Sequence, residues 1–164
     1  MQREVRMAGV TTSVGSPSQQ AEHQTEKYLT FRMRADVFAV PFVRVREIMG
    51  IQEINAVPGS PVFLKGVINL RGKIVPVVDL RLKLGLPPRE YKSRTCIVVV
   101  QIGNATAGKL TMGMVVDSVA AVLTLRPSDI QRGVVRVKGK ITTLLDLDGL
   151  LSTEEMQSLV AVSV

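Results

Sequence analysis

A chain of 164 residues is long enough for one domain or for two small subdomains sharing a core, and it has no apolar run near the roughly eighteen residues of a membrane span. Val, Ile and Leu supply most of its apolar residues, Trp is absent and aromatics are few, which implies a strand-rich aliphatic core. The formal charge of +7 raises nucleic acid as a partner, yet the basic residues stand singly, without an aromatic stacking platform or a recognisable nucleic-acid module.

Between Lys27 and Arg94 there are 13 Lys or Arg against 5 Asp or Glu, so this half carries the whole excess. It reads as a solvated basic face, with an acidic protein partner as the next option. The N-terminus has no apolar h-region of a signal peptide, and the single cysteine, Cys96, cannot form an internal disulfide. Both features lead us to expect a cytoplasmic protein.

Residues 1–26 are polar with little periodicity and read as a mobile tail, in which His23 has no partners at ligand spacing. From Tyr28 the pattern alternates, with Leu29, Phe31 and Met33 on one face and Tyr28, Thr30 and Arg32 on the other, which predicts a strand. A turn at Ala35 and Asp36 leads to a second strand, Val37 to Val40, ended by Pro41. The spacing of Phe42, Val45, Ile48 and Met49 predicts a short helical turn with one apolar side, Arg44, Arg46 and Glu47 pointing outward. Pro58, Gly59 and Pro61 then break the chain before Val62, Phe63 and Leu64.

The stretch from Gly66 to Leu80, GVINLRGKIVPVVDL, reads as a hairpin: two β-branched runs flank a tight turn in which Gly72 can take positive φ. Asp79 is placed to cap a short helix through Leu84, stopped by Gly85, Pro87 and Pro88. The segment Pro87 to Arg94 is the expected subdomain boundary. Thr95 to Ile102 is the most apolar run and predicts a buried central strand in which Cys96 is a small packed hydrophobe. A polar turn, Gly103 to Gly108, precedes a strand from Lys109 to Val116. Near the end, Ser152 and Glu155 form a capping-box pattern opening a helix that carries Met156, Leu159 and Val160.

The hairpin has a near-copy, GVVRVKGKITTLLDL from Gly133 to Leu147, matching at seven of fifteen positions under a shift of 67 residues. Chance would give about one or two matches, so the chain carries an internal duplication. A weaker echo sets Met112 to Val122 on Phe38 to Ile48 at a shift of 74. Because the shifts differ, the second unit must have the shorter connection into its hairpin.

No catalytic constellation emerges. Cys96 and His23 lie on different kinds of element, no phosphate loop occurs, and Asp79 and Asp146 hold equivalent capping positions. No cofactor or metal is expected. Arg71 stands out at the tip of the first hairpin, with Lys138 in its place in the second, because a rigidly held guanidinium fork can anchor a carboxylate or carbonyl of a partner.

The stretches FAVPFVRVREI, PGSPVFLKGVINLRGKIVPVVDLRLKLGL, MGMVVDSV and ITTLLDLDGLL make the chain, over about residues 27–160, resemble the CheW family of adaptors in bacterial chemosensory complexes and the related regulatory domain of the CheA kinase. The resemblance implies an all-β fold of two packed five-stranded SH3-like barrels, here about residues 27–90 and 91–151, followed by a C-terminal helix at 152–160. It also implies no catalysis. The implied role is to join chemoreceptor cytoplasmic tips to a CheA-type histidine kinase, without nucleic acid and without membrane insertion. The receptor helix would lie between the barrels, with Arg71 of the NLRG turn in the contact, Val45 and Glu47 tied to partner binding and Gly66 beginning the same surface. The copies differ most at Asn69 and Arg71, which adds Asn69 to the candidate residues. One departure stands out: family members carry a longer, often Pro-rich segment where Ile130 and Gln131 here run straight into Arg132 and Gly133, so ring assembly does not follow from the resemblance. The rival reading is a basic barrel that binds nucleic acid, with binding that falls steeply with salt.

Overall fold

The computed structural model describes residues 24–104 and 108–163. Residues 1–23 of the expected tail, His23 among them, lie outside the described residues, as do residues 105–107 of the expected polar turn. Glu26 already belongs to the first strand. In chain order, β1 (Glu26–Met33) and β2 (Asp36–Pro41) form a hairpin, and a 3₁₀ turn, Phe42–Arg44, leads to β3 (Val45–Gly50). The first repeated hairpin is β4 (Leu64–Leu70) with β5 (Lys73–Asp79), followed by the short helix α1 (Leu80–Lys83). A further hairpin, β6 (Cys96–Asn104) with β7 (Gly108–Val116), precedes β8 (Ser118–Leu125), a 3₁₀ turn and the short β9 (Ile130–Gln131). The second repeated hairpin is β10 (Val134–Val137) with β11 (Lys140–Leu144), and α2 (Thr153–Val162) closes the described chain.

The strands form two curled sheets, a five-stranded one in the order β3-β6-β7-β5-β4 and a six-stranded one in the order β8-β1-β2-β11-β10-β9. Apart from the added β9, the orders are the same once the repeat is applied. Each unit keeps its third, fourth and fifth strands but seats its first hairpin in the other unit's sheet. The seating is a parallel ladder in both cases, Ala39 opposite Leu144 and Val77 opposite Gly113, which is the same register under the repeat shifts. A bulge in β3 at Arg46 recurs in β8 at Ala120, 74 residues on. The weak echo in sequence is therefore a structural repeat. A cut at residue 90 follows the repeat but not the sheets, because it would part β6 and β7 from β3 and β5.

This exchange produces three apolar layers. Alternation along β6 sends Val98, Val100 and Ile102 into a central core shared with Leu29, Phe31 and Met33 of β1, while Ile97 and Val99 fill the five-stranded barrel with Ile68, Val75 and Val77. That double burial explains why Thr95 to Ile102 is apolar on both faces. Tyr28, Ala39, Leu125 and Val135 line the interior of the other sheet. Met156 and Leu159 of α2 join the central core, and Ser152 caps that helix in a complete capping box with Glu155. Cys96 is half-buried against the same core.

The helical reading of Phe42 to Met49 is corrected. Only Phe42–Arg44 turns, and Val45 onward is strand, because β6 offers a ladder that pairs Val45 and Glu47 to Gly50. Phe42 and Ile48 are consequently exposed rather than on one buried side. Arg44 does not simply point outward either, since it makes two contacts to the Asp148 carboxylate and one to the Gln101 carbonyl. Asp79 does cap α1, accepting from the Arg81 amide at 3.0 Å and from the Tyr91 hydroxyl at 3.1 Å. Burial, with the Asp79 charge beside it, pushes the Tyr91 hydroxyl well above its ordinary range.

Two ion pairs lock the crossings between sheets. At the β7–β8 crossing, Asp117 receives Nε and Nη2 of Arg81 at 2.8 and 2.7 Å and the Arg34 amide at 2.8 Å. At the β2–β3 crossing, Arg44 reaches Asp148. Arg81 and Asp148 are equivalent under the 67-residue shift, while their partners Asp117 and Arg44 stand one residue out of step under the 74-residue shift, so a similar link is made twice with its signs exchanged. Hydrogen bonds from Arg81 hold the Asp117 carboxyl below its ordinary pKa. Its folded value lies under the unfolded one, so its contribution is present above about pH 4 and is lost as pH falls through the depressed value. Asp117→Asn should lower the unfolding free energy by about 3 kcal/mol at neutral pH in urea titrations. Its deficit against wild type should shrink below about pH 4, where the wild-type carboxyl protonates.

Gly66 closes the five-stranded barrel. Asn55 and Val67 exchange two backbone hydrogen bonds at 2.9 Å, bringing the segment after β3 against β4. A Cβ built on Gly66 would lie 2.1 Å from the Asn55 carbonyl oxygen, and φ there is +148°. Gly66→Ala should therefore cost about 3 kcal/mol or more of stability, measured by denaturant unfolding, through both overlap and backbone strain.

Candidate partner-binding site

Three of the five sequence candidates, Glu47, Asn69 and Arg71, converge on one end of the five-stranded barrel. Glu47 lies on β3 and Arg71 in the β4–β5 turn, and these strands are at opposite ends of the sheet order. The sheet curls far enough that Arg71 Nη2 donates to the Glu47 carboxylate at 2.6 Å, so the pair spans the two edges. A bulge changes which way neighbouring side chains face, and the β3 bulge between Val45 and Glu47 sits immediately before Glu47. Arg46, the bulged residue, turns instead to the Val43 carbonyl and the Gln101 side chain.

Local chemistry holds the turn rigid. Arg71 and Gly72 have φ of 51° and 85°, as a two-residue hairpin loop of this twist requires. Asn69 Oδ1 accepts the Gly72 amide at 2.9 Å, clasping the turn from inside. Arg136 replaces Asn69 in the second copy and has no such acceptor. Asn or Gly would adopt the Arg71 backbone at lower cost, so the guanidinium stands where local preference does not favour it. Its side chain is 74% exposed even while paired, leaving most of its donors open to a partner.

Of the five candidate residues, Arg71, Glu47 and Asn69 meet through these bonds. Val45, half-buried, begins β3 at the end of the 3₁₀ turn. Gly66 is buried, and its place is in the barrel closure that sets the β4 path to the turn. The structure adds exposed apolar residues that are not among the sequence candidates. Ile74, the cross-strand partner of Asn69, is 40% exposed, and Phe42, Val43 and Ile48 are exposed around the crossing into β3. The helical spacing puts Phe42 and Ile48 on one apolar side, whereas Val43 and Ile74 carry no signal in the sequence beyond their apolar character. A polar pair held across the sheet edges, with exposed apolar residues on the same and adjoining elements, has the composition of a docking surface rather than of a reaction centre.

Comparison with known proteins agrees with this architecture. Residues 27–155 match the CheW-like domain. The chemotaxis protein CheW of Rhizobium meliloti (strain 1021) is 32% identical over 155 residues, covering 84% of this chain and 97% of that protein. The chemotaxis protein CheW of Bacillus subtilis (strain 168) is 28% identical over 149 residues, covering 82% of this chain and 92% of that one. The crystal structure of the scaffolding protein TtCheW from Thermoanaerobacter tengcongensis superposes with a TM-score of 0.71 at 24% identity, over 80% of this chain and 91% of that chain, a likeness of fold. With a domain match over most of its length and the two-sheet architecture described above, this chain belongs to the CheW family of chemotaxis proteins.

Proposed function

We propose that the protein is a non-enzymatic adaptor that couples the cytoplasmic tips of chemoreceptors to a CheA-type histidine kinase. The observation that carries this reading is the Arg71–Glu47 pair, which bridges the two edges of the five-stranded sheet from a rigid turn and leaves the guanidinium largely exposed. A receptor helix would set its apolar stripe on Phe42, Val43 and Ile48, while the open donors of Arg71 fix its register. In this reading Val45, Glu47 and Asn69 shape the contact, and Gly66 holds the barrel end in place. The protein would associate with the membrane through its receptors, and among the described residues no helix is long and apolar enough to cross a membrane.

The folded arrangement weakens the nucleic-acid alternative. Arg44, Arg71, Arg81, Lys83 and Arg89 of the basic half all lie in ion pairs with carboxylates, so less free positive charge remains for phosphates than the composition implied. Gel-shift titrations at low salt should show no retarded nucleic acid.

Purified protein should retain both a receptor cytoplasmic fragment and a CheA-type kinase in pull-down assays. Capture of neither by folded protein would overturn the proposal. Arg71→Glu should weaken receptor binding by about tenfold or more, by titration calorimetry, with an unchanged thermal melt. Lys138→Glu, at the equivalent turn, should leave receptor binding unaltered, and equal affinity of R71E and wild type would remove Arg71 from the contact.

A further inference from the structure

The six-stranded sheet carries a groove of about 610 Å³, within the range of ligand sites. Its walls are Leu123–Leu125 of β8 and Val134–Lys138 of β10 and its turn. Successive side chains of a strand face opposite ways, so a wall made of consecutive residues is a strand edge, not a strand face. Both walls meet this description. β8 is the last strand of its sheet, and β9 covers β10 only at Val134 and Val135, so among the described residues the outer edge of β10 beyond them has no strand against it.

The equivalent place in the first unit is closed. There Ile68 is fully buried in a cluster on which Met49, Ile51 and Leu70 pack, and Arg71 spans to Glu47. In the second unit Val135 and Val137 are smaller than Ile68 and Leu70, and Ala121 stands at the position of Glu47, so Lys138 has no carboxylate at that position to bridge to. We propose that this groove binds an extended peptide segment of a partner protein, alternately aliphatic and acidic, that adds as a strand between the edges of β8 and β10.

The chemistry of the occupant follows from the walls. Backbone edges ask for an extended chain, and Leu123, Val135 and Val137 ask for aliphatic side chains on its inward face. On the outward side Arg136 and Lys138 ask for carboxylates. The one acidic wall residue, Asp129, already accepts the Arg126 amide at 2.8 Å and pairs with its guanidinium. Arg132 and Lys138, in the turns at either end of β10, hold φ of 54° and 50°, so both turns present basic side chains where glycine or asparagine would sit more easily.

The test is fluorescence anisotropy of the full chain with a labelled heptapeptide alternating Glu and Val, beside the same peptide N-methylated at alternate residues. The unmodified peptide should bind saturably, and N-methylation, which removes the edge donors without touching the protein, should weaken it by about tenfold or more. Arg136→Glu should do the same while leaving receptor-fragment binding intact, which separates this groove from the Arg71 surface. Equal affinity of both peptides, or an R136E-sensitive dimer in sedimentation with no peptide binding, would overturn the proposal.

Discussion

The contact between Gly66 and the Asn55 carbonyl is the constraint on which the five-stranded barrel rests. Two backbone hydrogen bonds between Asn55 and Val67 close the sheet, and they form only because no side chain occupies the space between the strands. Closure brings the β3 edge to the β4–β5 turn, which lets Glu47 reach Arg71. The exposed pair thus depends on a buried glycine: the pair itself adds little stability at such exposure, and the backbone contact determines where it stands.

A second constraint is the exchange of first hairpins between the units. Each parallel ladder seats one unit's hairpin in the other's sheet, so neither barrel is complete from its own half of the sequence. The central core forms between the sheets from both exchanged hairpins, and the crossings that the exchange requires are where Asp117 meets Arg81 and Arg44 meets Asp148. Inverting the signs of the two links preserves the attraction within each. Arg81 also donates to the Pro87 carbonyl at 2.9 Å, which ties down the segment leaving α1.

Duplication supplies the frame and divergence supplies the chemistry. Gly72 and Gly139 make the same turn, with Arg71 and Lys138 in the same backbone conformation. The surroundings differ: one turn is clasped by Asn69 and bridged to Glu47, while the other faces an open groove lined by Val135, Val137 and Ile141. The shortened connection in the second unit runs from residue 126 to 133 through a 3₁₀ turn, β9 and a two-residue turn, where the first unit makes a longer excursion that includes the buried Phe63.

Local rules were enough to read β1, β2, β4 to β7, β10 and β11, the hairpin turns, the Asp79 cap, the Ser152 capping box and the duplication from sequence, because each depends on neighbours a few residues apart or on outright repetition. Arg71 and Asn69 were legible for the same reason, as the positions where two copies of one turn differ. The segment Phe42 to Met49 was not, since its helical spacing competes with a β6 ladder about fifty residues away, and pairing with β6 outweighs a turn that has no buried face. Nor could the sequence reveal which strands share a sheet, that Glu47 meets Arg71, or that the groove between β8 and β10 stays open. Those outcomes depend on the curl of the sheets and the exchange of hairpins, which are set by packing between residues far apart in the chain.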